Sequence, residues 1–195
     1  MTQQHRRVVA NIALSLDGRV SGRGGEYDMA WIVPHALSAV ARAHMVKVTA
    51  PATTALLGRK NYQGFSGFWP AVAGDENAHP DDRAFAQWLD GVEKVVFSTT
   101  LTDLEWGNAR LAGADPATVV KDLRTRPGGD IIVLASGSVI KALLDAGEVD
   151  RLSITLCPEL VGGGARLFAD GPAASWRLVE STPADSGALC LIYER

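Results

Sequence analysis

The feature that most constrains this chain is the alternation of short apolar runs with segments of helical character. Runs at 8–14, 54–57, 94–97 and 131–135 are bounded by charge, glycine or small polar residues. A strand buried on both faces reads as such a run. Segment 151–157 alternates in part, placing Leu152, Ile154 and Leu156 on one face. Runs 176–180 and 189–193 flank a link containing Pro183, Asp185, Ser186 and Gly187, as an antiparallel closing pair does. Helical segments lie between the earlier strands. Segment 34–48 enters through Pro34, and 80–89 opens Pro80-Asp81-Asp82 with acids at the positive dipole end. A third starts at Asp115-Pro116 and ends before Pro127-Gly128-Gly129, and a fourth, 138–146, stops at Gly147. This order predicts an α/β fold, with a mostly parallel central sheet flanked by helices and an antiparallel C-terminal edge hairpin. Segment 64–79 is expected to be a surface loop. No linker composition divides residues 1–195, so a single domain is expected.

Bulk properties narrow the partners. A net charge of −3 and a pI near 5.8 give no electrostatic reason to expect nucleic acid or an anionic membrane. The chain shows no signal-peptide pattern and no apolar stretch of the roughly 18 residues a span requires, so a cytoplasmic protein is expected. Cys157 and Cys190 both lie in apolar, strand-like runs and read as core thiols. With no CxxC and no Cys/His cluster, no metal site stands out.

Three strand-to-helix junctions carry the chemistry. They are Leu57-Gly58-Arg59-Lys60-Asn61-Tyr62, Phe97-Ser98-Thr99-Thr100 and Ala135-Ser136-Gly137-Ser138-Val139-Ile140. In open α/β sheets, ligands bind beyond the carboxyl ends of strands, where helix N-termini offer free N–H groups. None is a complete GxGxxG or Walker loop, and any one alone reads equally as a solvated turn. Together they point to an extended anionic ligand such as a dinucleotide. Its pyrophosphate is expected at the Gly137–Val139 turn. Arg59, Lys60, Ser98 and Thr99 are expected to face a 2′-phosphate, which favours NADPH over NADH. Gly162-Gly163-Gly164 is either a flexible turn or a close approach of backbone to ligand or sheet.

The order of these motifs resembles the dihydrofolate reductase-like superfamily, including the C-terminal reductase domain of the riboflavin-biosynthesis deaminase–reductase. The resemblance runs through Ala13-Leu14-Ser15-Leu16-Asp17-Gly18-Arg19-Val20, Ala30-Trp31-Ile32-Val33-Pro34, the three junctions, Asp150-Arg151-Leu152 and Pro158-Glu159-Leu160-Val161-Gly162-Gly163-Gly164. It implies NADPH binding by Gly58, Arg59, Lys60, Asn61, Ser98, Thr99, Ser136, Gly137, Ser138, Val139 and Ile140. It places the nicotinamide near Ala13 and Trp31, under the loop 17–28.

Departures from both branches are specific. Where dihydrofolate reductase carries its substrate-binding carboxylate, two residues after the proline, this chain has Ala36, with His35 beside it. Where the riboflavin branch has Glu-Gly-Gly, Ala135 takes the Glu position, and Gln63-Gly64-Phe65-Ser66-Gly67-Phe68-Trp69-Pro70 replaces its Asp-Asp-Pro segment. Asp28 is then the best remaining acid, and Thr155 is similar to the facing-strand threonine. These two are the catalytic candidates, and Trp31, His35 and Phe65 are the substrate-binding ones. Phe65, Phe68 and Trp69 either cap an aromatic substrate or anchor their own segment. Asp17 either holds a loop beside the nicotinamide or makes a common Asp-Gly turn.

The resulting expectation is an NADPH-dependent oxidoreductase moving a hydride to a C=N or C=O bond of a small pteridine- or pyrimidine-like heterocycle. Alternatives are 5-amino-6-(5-phosphoribosylamino)uracil reductase, dihydrofolate reductase and an NADPH-binding module without turnover. The resemblance also implies a homodimer.

Overall fold

The computed structural model describes residues 6–25, 27–168 and 173–195. The elements run β1 (Val8–Ser15), a 3-10 turn (Ala30–Ile32) leading into α1 (Val33–Ala36), α2 (Ala39–Thr49), β2 (Ala52–Gly58), α3 (Arg59–Gly74), α4 (Pro80–Gly91) and β3 (Glu93–Phe97). There follow β4 (Ala109–Leu111), α5 (Pro116–Arg124), β5 (Asp130–Leu134), α6 (Gly137–Asp145), β6 (Arg151–Cys157), β7 (Arg177–Pro183) and β8 (Leu189–Glu194).

The strands form one sheet in the order β4-β3-β2-β5-β1-β6-β8-β7. β8 runs antiparallel to both its neighbours, and every other pairing is parallel. Side-chain alternation splits the core into two layers. Val8, Ala10, Ile12, Leu56, Val95, Ile131 and Val133 pack against α5 and α6 on one face. Val9, Leu57, Val96, Ile132 and Leu134 pack against α2, α3 and α4 on the other. The sheet is thus the expected mostly parallel α/β core with an antiparallel edge.

Several elements depart from the sequence expectation. Segment 34–48 is two helices, because Ser38 leaves helical geometry (φ −64°, ψ 146°) and caps α2 by accepting from Ala41 N–H at 3.3 Å. Most of 64–79, expected as a loop, is helical in α3 despite Gly64, Gly67 and Pro70. Tyr62, Phe65 and Trp69 recur on one face of α3 and join the core beneath it, with Trp69 edge-on to Phe85 at 4.7 Å. Burial of that aromatic face outweighs the poor helix propensity of the glycines and the one hydrogen bond lost at proline. β4 is only three half-buried residues, too short for a sequence signal.

Two buried polar groups fit this packing. Lys94 is fully buried, and its ammonium donates to the carbonyls of Leu89, Asp90 and Val92 at 2.7, 3.1 and 2.9 Å, closing the C-terminus of α4. His44, on the buried face of α2, has Nε2 2.8 Å from Ser153 Oγ, which in turn donates to Asn11 Oδ1. Cys157 and Cys190 are free, buried thiols, and burial pushes Cys157 up to about 12.

Candidate cofactor cleft

Where β1, β5, β2 and β3 end, the loops and helix starts that follow them enclose a cleft of about 1050 Å³. All three predicted junctions open into it: Gly58 to Asn61 after β2, Ser98 and Thr99 after β3, and Ser136 to Val139 after β5.

The two helices starting here differ from their neighbours. Side chains cap α2, α4 and α5, through Ser38, His79 and Asp115. α3 begins after Gly58, and α6 after Ser136, with no side-chain cap. In α6 the Ile140 N–H to Ser136 carbonyl bond, 2.9 Å, follows three amides, those of Gly137, Ser138 and Val139, that have no such helical partner. Ser136 makes no cap; its hydroxyl is aimed elsewhere, donating to Leu134 carbonyl at 2.9 Å and accepting from Gly58 N–H at 2.8 Å. That hydroxyl therefore locks two junctions together. Ala135 precedes it at φ +48°, a left-handed conformation that strains a residue with a Cβ. A Cβ placed on Gly137 would have Val20 Cγ2, at 3.8 Å, as its nearest neighbour. The protein therefore leaves room there which only a ligand would contest.

Charge follows the same line. Among the described residues Arg59 hydrogen-bonds only Gln63, at 3.3 Å, and the Lys60 ammonium lies 5.7 Å from the ring centre of Tyr27. Ser98 Oγ accepts from the amides of Thr100 and Leu101 at 3.1 and 2.9 Å, so its hydroxyl proton points elsewhere. Uncapped helix starts, two cations and a vacant glycine position suit an extended phosphate-bearing ligand.

Other predicted residues sit apart. Ile140 is fully buried in the core. Ala13 and Thr155 are register partners on β1 and β6, half-buried, and lie outside the cleft lining. Phe65 does line the cleft, while Phe68 is exposed. The Asp28 carboxylate accepts from Gly24 N–H at 3.0 Å within its own loop. His35 is buried, with Nε2 3.1 Å from Glu159 Oε1; among the described residues its Nδ1 and the buried Trp31 Nε1 find no hydrogen-bond partner.

One wall lies outside the three junctions. Val20, Ser21, Tyr27 and Met29 come from the loop after β1, Ala165, Arg166 and Leu167 from the loop after β6, and Ala112 to Asp115 from the β4–α5 link. A clasp holds the first two loops together. The Asp17 carboxylate accepts from Ser15 Oγ at 2.7 Å and from the amides of Val161 and Gly162 at 3.1 and 2.9 Å. The Ser15 hydroxyl first, then those amides, holds this carboxyl well below the usual range. Arg19 donates to Gly164 carbonyl at 2.7 Å. The triple glycine answers the alternatives above. A Cβ on Gly164, at φ +84°, would lie 2.1 Å from Ser21 carbonyl oxygen. Backbone packs there on backbone, and none of the three glycines lines the cleft.

An open, mostly parallel α/β sheet with a nucleotide-sized cleft beyond its strand ends defines the broad class. Within it, the chain belongs to the RibD C-terminal domain family, whose pattern matches residues 6–190. It is 24% identical over 192 residues to the uncharacterized protein YyaP of Bacillus subtilis (strain 168), covering 97% of this chain and 95% of that protein. Among solved structures it resembles a putative riboflavin biosynthesis protein from Shewanella sp. PV-4, with TM-score 0.70, 19% identity and coverage of 97% and 98% of the two chains. It also resembles the Enterococcus faecalis dihydrofolate reductase complexed with NADP(H) and RAB-propyl, with TM-score 0.60, 16% identity and coverage of 97% and 96%. The dihydrofolate reductase-like fold is established by these likenesses. No helix among the described residues is long and apolar enough to cross a membrane.

Proposed function

We propose that this protein is an NADPH-dependent oxidoreductase acting on a small pteridine- or pyrimidine-like heterocycle. The observation that carries the reading is the convergence of two uncapped helix starts, Arg59 and Lys60 on one cleft at the strand ends. Family membership and the NADP(H)-bound relative support it. When bound, the nicotinamide supplies the hydride for a C=N or C=O bond of the substrate. The chain's own residues bind and orient. The α6 amides receive the pyrophosphate, Ser136 fixes their position, and Arg59, Lys60, Ser98 and Thr99 receive the 2′-phosphate. Substrate would sit by Ala13 and Thr155, with Trp31 and His35 beside it and Phe65 towards the cleft. Of the two proton sources, a water held near Thr155 is favoured, because Asp28 spends its carboxylate on its own loop.

The experiment is NADPH oxidation, followed by absorbance, with dihydropterins and aminouracil derivatives, beside NADPH and NADH binding by tryptophan quenching. Absence of binding to either nucleotide would sink the proposal. A second reading, a binding module without turnover, is favoured by Ala36, an exposed methyl where the resemblance calls for a carboxylate. Tight NADPH binding with no oxidation across the panel would select it.

A further inference from the structure

We propose that Arg166 binds the bridging pyrophosphate of the cofactor, and that Asp17 and Arg19 are the positioning residues that hold it there. The inference rests on the cofactor reading above and extends it to a wall of the cleft that no motif announces.

The argument starts from the backbone. Residues 165–167 run against 18–20 as a short antiparallel ribbon. Val20 N–H donates to Ala165 carbonyl at 2.9 Å, Leu167 N–H to Gly18 carbonyl at 3.2 Å, and Arg19 pairs with Arg166 as a bridge. Adjacent residues of an extended ribbon point to opposite sides. Leu167 is 3% exposed and anchored in the core layer beneath α5 and α6, so Arg166 is turned outward, where it lines the cleft. Its guanidinium makes no hydrogen bond or ion pair with any described residue.

Its place along the sheet follows from what it touches. Val20, the ribbon partner of Ala165, is also the nearest neighbour of a Cβ built on Gly137. Arg166 therefore lines the same cleft as the free amides of α6, on the ribbon whose other strand carries Val20. Arg59 and Lys60 follow β2, and β5 separates β2 from β1. The cleft thus has cations at two separate stations along the strand ends. Arg59 and Lys60 suit the 2′-phosphate, while Arg166, joined by Lys141 one turn along α6, suits the pyrophosphate. A guanidinium fork matches two phosphate oxygens at once.

Arg166 would not hold this position unaided. The Asp17 carboxylate fastens the amides of Val161 and Gly162, and Arg19, beside Asp17 at 3.4 Å, grips Gly164 carbonyl. This clasp fixes the ribbon two residues before Arg166.

The test compares NADPH and NADH affinities, by titration, in wild type, R166A, R166K, R59A, D17N and the double variant D17N/R166A, with unliganded melting temperatures measured alongside. Loss of a charge-assisted bond to phosphate is expected to weaken both nucleotides by about tenfold or more in R166A, leaving their ratio unchanged. R166K recovers part of the loss, and R59A lowers NADPH affinity selectively. D17N weakens both nucleotides and has a smaller effect when added to R166A, the coupling expected of a residue acting through Arg166 and not of a general structural one. Unchanged affinities in R166A, or a loss confined to NADPH, would overturn the assignment while leaving the cofactor reading standing. Failure of wild type to bind either nucleotide would overturn both.

Discussion

Gly137→Val is the most direct perturbation of the α6 turn. The backbone there does not need glycine for its conformation, and the nearest atom to an added Cβ is Val20 Cγ2 at 3.8 Å. The substitution therefore fits the protein without ligand, and valine costs a helix no more than glycine does. Its methyl groups, however, project into the space before the Gly137, Ser138 and Val139 amides. If two of those amides donate to phosphate, at ~1.5–3 kcal/mol each, displacing the phosphate removes at least ~3 kcal/mol, or ~10²-fold in affinity. At a nucleotide concentration ~100 times the wild-type Kd, linkage stabilises wild type by ~2.7 kcal/mol and the variant by only ~0.4 kcal/mol. For a chain of this size those values correspond to melting shifts of about 5–10 °C and about 1 °C. Thermal unfolding with and without NADPH reads both numbers in one assay. Equal NADPH-induced shifts in the two proteins would show that the phosphate cradle lies elsewhere.

Wild type is expected to bind NADPH more tightly than NADH, and Arg59→Ala to narrow the ratio; equal wild-type affinities remove the 2′-phosphate reading. Ala135→Gly relieves the φ +48° strain, worth ~1–2 kcal/mol, against a backbone entropy cost of ~0.5–1 kcal/mol. Urea unfolding should show it neutral or slightly more stable, and a loss above ~1 kcal/mol contradicts the strain. Burial lowers the Lys94 ammonium to about 8 from an unfolded value of 10.5, so between these the unfolded chain holds more protons and stability rises with pH. Lys94→Met should flatten that rise in urea midpoints across the window while lowering stability overall, since three carbonyls lose their donor.

The parts of the fold legible from sequence are those whose signal is local. β1, most of β2 and β5 are buried on both faces, and that burial favours runs dominated by Val, Ile, Leu and Ala. The three junctions were readable because each puts small or charged residues directly after such a run. α3 was hidden because the reason it is helical lies outside it, in the core that accepts Tyr62 and Trp69. The far wall was hidden for a related reason. The loops carrying Val20 and Arg166 are joined by Asp17 bonds between residues 144 and 145 positions apart, a distance no local motif spans. Trp31 and His35 were singled out by position alone, and their orphaned nitrogens appear only in three dimensions.

The protein is expected to be a poor dihydrofolate reductase, for a reason the fold sharpens. The resemblance places the pteridine-binding carboxylate at Ala36, and the sequence alone suggests that Ala36→Asp would restore it. The phase of α1 argues otherwise. His35 is 5% exposed and engaged with Glu159, whereas Ala36 faces solvent. A carboxylate at 36 would be hydrated on the outer side of the helix, out of reach of a ring held over Ala13 and Thr155. General acid–base help is worth ~10²–10⁴-fold in rate. Its absence should leave steady-state dihydrofolate turnover weak in wild type, unimproved in Ala36→Asp and no weaker in Asp28→Asn, whose carboxylate already serves Gly24. A gain of ~10²-fold or more in Ala36→Asp would show that α1 rotates when substrate binds. Efficient wild-type turnover would show that the fold reduces a pteridine without a carboxylate at that position, and the substrate search would then begin with dihydrofolate itself.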